Sequence, residues 1–201
     1  MSKELIIETS KNLFMKYGIK SISMDDIAKD LGMSKKTIYN FVDNKDDLVL
    51  SVLQSHSIEE KEMVQNIRSV AQNAIEEMAS IAKYVLQHMR EMKPTLMYDL
   101  KKYHFQSWNF LTKDHFAFIE DAIQQNISRG KKEGLYRSKI DETIHSKIYV
   151  SMARIMVDEE VFPIKEYDKG DIYENYFIYH MNGIMNEDGR TELNKYLNQE
   201  K

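Results

Sequence analysis

An all-α fold is what this 201-residue sequence predicts, and three observations predict it. The chain holds only 2 prolines and 7 glycines, so there are few points at which a helix is forced to stop. Its apolar residues recur at three and four rather than at two, the period of an amphipathic helix and not of a half-buried strand. A hydrophobic content of 42% and a charged content of 30% are those of an ordinary globular protein, long enough for one sizeable core or two smaller ones.

Taken in order, IIETSKNLFMKYG reads as the first helix and stops at Gly18. Ser23 stands three residues before Asp26, the cap and reciprocal acid that start a helix by satisfying its first amides. Asp25 and Asp26 also suit the positive end of that helix dipole. Ile27, Ala28 and Leu31 form its apolar face, and Gly32 supplies a left-handed residue to end it. Ser34 then caps a short helix whose first turn is Lys35, Lys36 and Thr37. With Lys35 at zero, Lys36 falls near ~100°, Tyr39 near ~40° and Asn40 near ~140°, one outward face. Ile38 near ~300° and Phe41 near ~240° lie on the opposite, buried side. Two helices, a tight turn, and a Lys-Lys-Tyr-Asn face make the layout of a helix-turn-helix reader of double-stranded DNA. Lysine donates to guanine edges, Asn pairs with adenine, and threonine and tyrosine hold phosphates.

Bulk charge gives no help to that reading. The net charge is −4 at pH 7, and the first 47 residues hold eight lysines against eight acids, so the basic signal is entirely local. A lysine pair on a helix is, by itself, an ordinary solvated face. The cap, the turn, the wheel and the Tyr-Phe-Lys spacing together are what give the pair a purpose.

GIKSISMDDIAKDLGMSKKTIYNFVDNKDDLV resembles the N-terminal DNA-binding domain of the TetR family of bacterial transcriptional regulators. The preceding helix carries that family's Leu13-Phe14 pair and closing Gly18, and Tyr39-x-Phe41-x-x-x-Lys45-x-x-Leu48 follows its pattern into the next helix. The resemblance covers about a quarter of the chain. It implies that Thr37, Tyr39 and Lys45 clamp phosphates while Lys35 and Lys36 reach base edges or nearby phosphates. Two positions depart from the family pattern. Asp25 stands where some relatives carry a basic or polar residue, which leaves base reading to the second helix of the motif, and Ser10 replaces a usual alanine.

From Asp46 the chain reads as a helix through Met63, then one over SVAQNAIEEMASIAKYVLQHMREM, then one opened by Pro94 in KPTLMYDLKKYH. FQSWNFLTKDHFAFIEDAIQQNISRGKKEG reads as one long helix ending near Gly134. Two more, DETIHSKIYVSMARIMVDE and DIYENYFIYHMNGIM, flank the loop VFPIKEYDKGD, and a tail helix falls around RTELNKYL. The expected division is residues 1–47, a three-helix helix-turn-helix DNA-binding domain, and 48–201, a helical ligand-binding and dimerisation domain. The resemblance implies a homodimer formed by the last two major helices and a small-molecule effector of unknown identity. Ile144, Ile148, Met152 and Ile155 form one apolar stripe and Tyr173, Phe177, Met181 and Ile184 another, patterns that fit an interface or a core. Two copies reading a palindrome are a further reason for dimerisation, because one short helix reads few bases. Met89, Tyr98, Phe105, Trp108, Tyr149 and Met152 are the expected ligand-binding residues, an adaptable apolar wall with a few polar tips that suits an apolar or aromatic effector.

No catalytic residue, cofactor or metal site is expected. His56 with Glu59 and Glu60, and His104 with Trp108 and His115, match no metal motif, and there is no nucleophile elbow, phosphate loop or dinucleotide fingerprint. With 0 cysteines, disulfides and thiolate sites are excluded. No apolar run nears the roughly 20 residues of a membrane span, and the N-terminus lacks signal-peptide order, so a cytoplasmic location without membrane contact is expected. A helical protein-interaction adaptor without DNA binding is the alternative reading; it leaves Lys35, Lys36, Tyr39 and Lys45 as accidents.

Overall fold

The computed structural model describes residues 2–93, 95–163 and 165–199. Backbone contacts divide the chain into two compact units, Met1–Glu60 with Glu91–His115, and Lys61–Arg90 with Phe116–Lys201. Among the described residues the regular structure is helical, with one isolated antiparallel bridge between Tyr136 and Met185. No helix among them is long and apolar enough to cross a membrane.

In the first unit α1 (Lys3–Tyr17) ends with the Gly18 amide bonded to the Phe14 carbonyl. Its buried Ser10 hydroxyl donates to the Ile6 carbonyl at 2.7 Å, so a polar atom in place of alanine is satisfied within the helix itself. α2 (Met24–Asp30) starts on the capping box read from the sequence: the Asp26 amide donates to Ser23 Oγ at 3.2 Å and the Ser23 amide to Asp26 Oδ2 at 2.8 Å. Gly32, at φ +62°, turns the chain into α3 (Lys35–Ile38), a conformation that costs an L side chain roughly 1–2 kcal/mol. α4 (Lys45–Val70) begins in this unit, which also holds α6 (Leu96–Tyr103), α7 (Phe105–Phe110) and a π-helical turn at Leu111–His115. Ile6, Phe14, Ile27, Ile38, Leu48 and Leu100 are the centre of its core. The predicted start of a helix at Pro94 lies outside the described residues; α6 is described from Leu96.

The second unit holds the rest of α4, then α5 (Ala74–Glu91), α8 (Phe116–Lys132), α9 (Glu142–Met156), α10 (Lys169–Ile184) and α11 (Glu187–Gln199). Ile75, Met78, Ile127, Tyr136, Met181 and Ile184 form its fully buried centre. Glu77 is 0% exposed and accepts from Arg68 Nε and Arg129 Nη1, each at 2.9 Å, so the buried carboxylate is held by two guanidinium groups.

Several boundaries differ from the sequence reading. α4 runs on to Val70, and α5 opens at Ala74, because Asn73 Oδ1 accepts from the Glu76 amide at 2.9 Å while Glu76 takes the Gln72 amide. The long helix expected over 105–134 is interrupted at Leu111–His115, where the hydrogen-bonded ring widens and Thr112 Oγ1 donates back to the Trp108 carbonyl. On α10 the stripe of Tyr173, Phe177, Met181 and Ile184 faces the core, and the apolar residues left exposed are Ile178 and Tyr179. α10 is apolar on more than one side, and only packing selects the face that is buried.

Candidate nucleic-acid interface

The site is built on the turn between α2 and α3. Ser34 Oγ accepts from the Thr37 amide at 3.1 Å, and the two hydroxyls lie 2.8 Å apart, fixing the first turn of α3. Ile38 is completely buried in the first core, and this anchor turns the other side of the helix outward. Past Ile38 the coil tightens, with the Asn40 amide bonding the Thr37 carbonyl and that of Phe41 the Ile38 carbonyl. Lys35, Lys36, Tyr39 and Asn40 are exposed there, Thr37 and Phe41 half-buried. The expected outward face is thus present, although regular α-helix covers only its first four residues.

Lys35 and Asp25 meet at 2.9 Å, an exposed ion pair that ties α3 to α2. The Asp25 carboxylate raises the Lys35 ammonium above the ordinary lysine range, and that lysine in turn offsets a negative charge at the face. Lys36 has no carboxylate partner among the described ion pairs, so its charge is the one this face offers directly. Lys45 is half-buried and donates to the Ile19 carbonyl at 2.6 Å. Burial lowers its ammonium below the ordinary range, against the opposing pull of Asp99, Asp46 and Asp26. Neither the Asp25–Lys35 tie nor the Lys45–Ile19 contact is a local pattern; they join residues ten and twenty-six apart.

The six residues expected to meet a ligand are divided between the units. Tyr98, Phe105 and Trp108 belong to the first, where Phe105 is 72% exposed and Trp108 packs on the core. Met89, Tyr149 and Met152 belong to the second, where Tyr149 is buried with its hydroxyl 3.5 Å from that of Tyr173. Within the second unit Met152 lines an open cleft of about 470 Å³ with Met156, Phe162, Ile172, Tyr176 and Tyr179, and with the acids Glu166, Asp168 and Asp171. Four of these apolar and aromatic residues follow Met152 by ten or more positions, beyond the reach of a helical stripe. Of the histidines weighed as metal ligands, His104 lies 2.6 Å from Asp46 and His115 lies 3.5 Å from Glu60.

Residues 6–52 match the family model described as bacterial regulatory proteins, tetR family. A relative from Bacillus subtilis strain 168, described as the uncharacterized HTH-type transcriptional regulator YvaF, is 29% identical over 186 residues, 92% of this chain and 95% of its own. A solved transcriptional regulator from Cytophaga hutchinsonii superposes with a TM-score of 0.73 at 18% identity, covering 91% of this chain and 98% of that one. A TetR-family regulator from Agrobacterium tumefaciens gives a TM-score of 0.73 at 13% identity, covering 91% and 97%. These two share the fold.

Proposed function

Because the chain belongs to the TetR family of DNA-binding transcriptional regulators, proteins that regulate and do not catalyse, we propose that it is a homodimeric repressor released from a palindromic operator by a small ligand. The observation that carries this reading is the capped α3 that buries Ile38 and exposes Lys35, Lys36, Tyr39 and Asn40. We assign reading to residues 1–47, with Thr37, Tyr39 and Lys45 on phosphates, Lys36 and Asn40 on base edges, and Lys35 shared between Asp25 and the DNA. Residues 48–201 take the effector and form the dimer.

Support for the dimer comes from α9, where Ile144 (56% exposed), Ile148 (50%) and Ile155 (38%) leave an apolar stripe facing outward. Support for the effector is the cleft at Met152, whose walls are methionine and aromatic side chains and whose charged residues are all acidic. An apolar or aromatic molecule that is neutral or cationic suits such walls; an anion does not. Ligand binding there acts through α4, the helix that leaves the reading head, and shifts the spacing of the two recognition helices in the dimer. It does so only to the extent that the two states differ in affinity for the ligand.

Selection of bound duplexes from a random pool, followed by footprinting, tests the reading. A palindrome with half-site centres ~34–36 Å apart, or a multiple, is expected. Lys36→Ala then relaxes base preference at one position by about 1–3 kcal/mol, and Tyr39→Ala weakens every duplex alike. Failure to enrich any sequence, or a folded Tyr39→Ala that binds as its parent does, overturns it.

A further inference from the structure

Beside the helix-turn-helix, on the same compact unit, two lysines converge on one tyrosine ring. Lys20 Nζ donates to the Tyr103 hydroxyl at 3.1 Å and lies 4.9 Å from its ring centroid. Lys102 Nζ lies 5.4 Å from the same centroid, 5.1 Å from that of Tyr98, and donates to the Tyr98 hydroxyl at 2.6 Å. The two rings stand edge to face at 6.4 Å. Neither lysine belongs to an ion pair among the described residues, and each opposes the charge of the other. Asp99, three residues before Lys102, is buried and accepts from the Lys20 amide at 2.9 Å, and its pull is the smallest of the influences on the Lys20 ammonium. Two like charges brought to one ring, with the nearby carboxylate bonded to a backbone amide and paired with neither ammonium, leave a place for an anion from outside.

The cluster is held in place from both sides. His104, the residue after α6, contacts Asp46 in the first turn of α4, and the Lys93 amide donates to the Met15 carbonyl at 3.1 Å near the end of α1. The cluster also adjoins the reading head: the carbonyl on which Lys45 rests belongs to Ile19, the residue before Lys20. α6 therefore carries its charge beside the start of α4, where the proposed phosphate clamp lies.

We propose that Lys20 and Lys102, positioned by Tyr98 and Tyr103, form a second phosphate-binding patch that grips the DNA backbone flanking the operator half-site, outside the helix-turn-helix. The proposal rests on the DNA-binding reading and extends it to a part of the chain that motif does not include. A phosphodiester fits on charge, on the presence of ammonium and phenol donors in one cluster, and on continuity with Lys45. Contacts of this kind add affinity and salt dependence without base preference.

The test uses the full-length protein, the selected operator duplex, and the same duplex extended by ten base pairs at each end. For the parent, binding should be tighter on the extended duplex and should weaken steeply with salt. For Lys20→Ala/Lys102→Ala the gain on extension should vanish, and the slope of log affinity against log salt should become shallower by about 1.8 per protomer, ~0.9 for each lost phosphate contact. The base preference of the selected site should not change, and Lys20→Arg/Lys102→Arg should restore the parent slope. A double variant with the parent's melting temperature that keeps both the slope and the gain overturns the proposal while leaving the reading head intact. So does a patch that takes up inorganic phosphate in solution yet leaves the salt slope unchanged on substitution, since its anion is then a free one. A parent that binds no duplex overturns both readings.

Discussion

His180 lies on α10 with 7% of its surface exposed, its ring 4.8 Å from Tyr149 and 6.1 Å from Tyr176, and its Nε2 has no hydrogen-bond partner among the described residues. Burial, with a smaller contribution from His145, pushes its pKa down to about 4. In the unfolded chain the ring titrates near ~6.5, so between these values the unfolded state binds the proton and the folded state does not. Stability is therefore complete above pH ~6.5 and falls as the pH drops toward 4, by on the order of 3 kcal/mol for this group. His180→Phe removes both the titration and the unpaired nitrogen. Its melting temperature is expected to equal or exceed that of the parent at pH 7, with the advantage growing at pH 5; melting curves across that range check it. A buried histidine of this kind cannot be told from a surface one in the sequence, because Tyr149 arrives from another helix, and Tyr176, four residues earlier on α10, does not by itself say which side of that helix is buried. Ser23, Gly32 and Ser34, by contrast, were readable, because each acts on amides within three residues of itself.

At the level of elements, the end of α8 depends on a close approach that only a glycine permits. A Cβ on Gly130 would stand 2.2 Å from the ring of Tyr136. That ring is almost fully buried, and its hydroxyl donates to Asn126 Oδ1 at 2.9 Å. Burial also pushes the Tyr136 phenol far above its usual range, so it remains a donor at any ordinary pH. Gly130→Ala must displace the ring or the helix, at ~1–3 kcal/mol. A loss of roughly 2–4 °C in melting temperature for each kcal/mol is expected, and thermal unfolding measures it. The helices themselves were legible as periodic runs, but their junctions were less so. The Asn73–Glu76 box at the start of α5 is a local signal that an apolar run from Val70 obscured, whereas the π turn at Leu111–His115 leaves the apolar period almost unbroken.

At the scale of the whole molecule, α9 and the outer side of α10 leave apolar side chains exposed. Ile144, Ile148 and Ile155 on α9 and Ile178 and Tyr179 on α10 are exposed apolar side chains of the kind a second copy buries. Sedimentation at micromolar concentration is expected to give twice the mass of the chain. Ile148→Glu, by placing a charge in that contact, should shift the protein toward monomer and weaken operator binding by at least about tenfold, since each half-site then binds alone. A parent that sediments as a monomer removes the dimer from the proposed mechanism.

By itself the sequence determined the helical class, the caps and turn of the reading head, and the outward Lys-Lys-Tyr-Asn face, because these follow from hydrogen bonds and periodicity within a few residues. Tertiary structure decided that Lys35 is shared with Asp25, that Lys45 rests on Ile19, and that α6 joins the first unit with Lys102 and Tyr103 beside Lys20. It also decided which side of α10 is core, and it distributed the six expected ligand residues over two units. The reason is one of range: each of these depends on which distant residue arrives to satisfy a charge, fill a space or cover an apolar face, and no spacing along a single helix encodes that arrival.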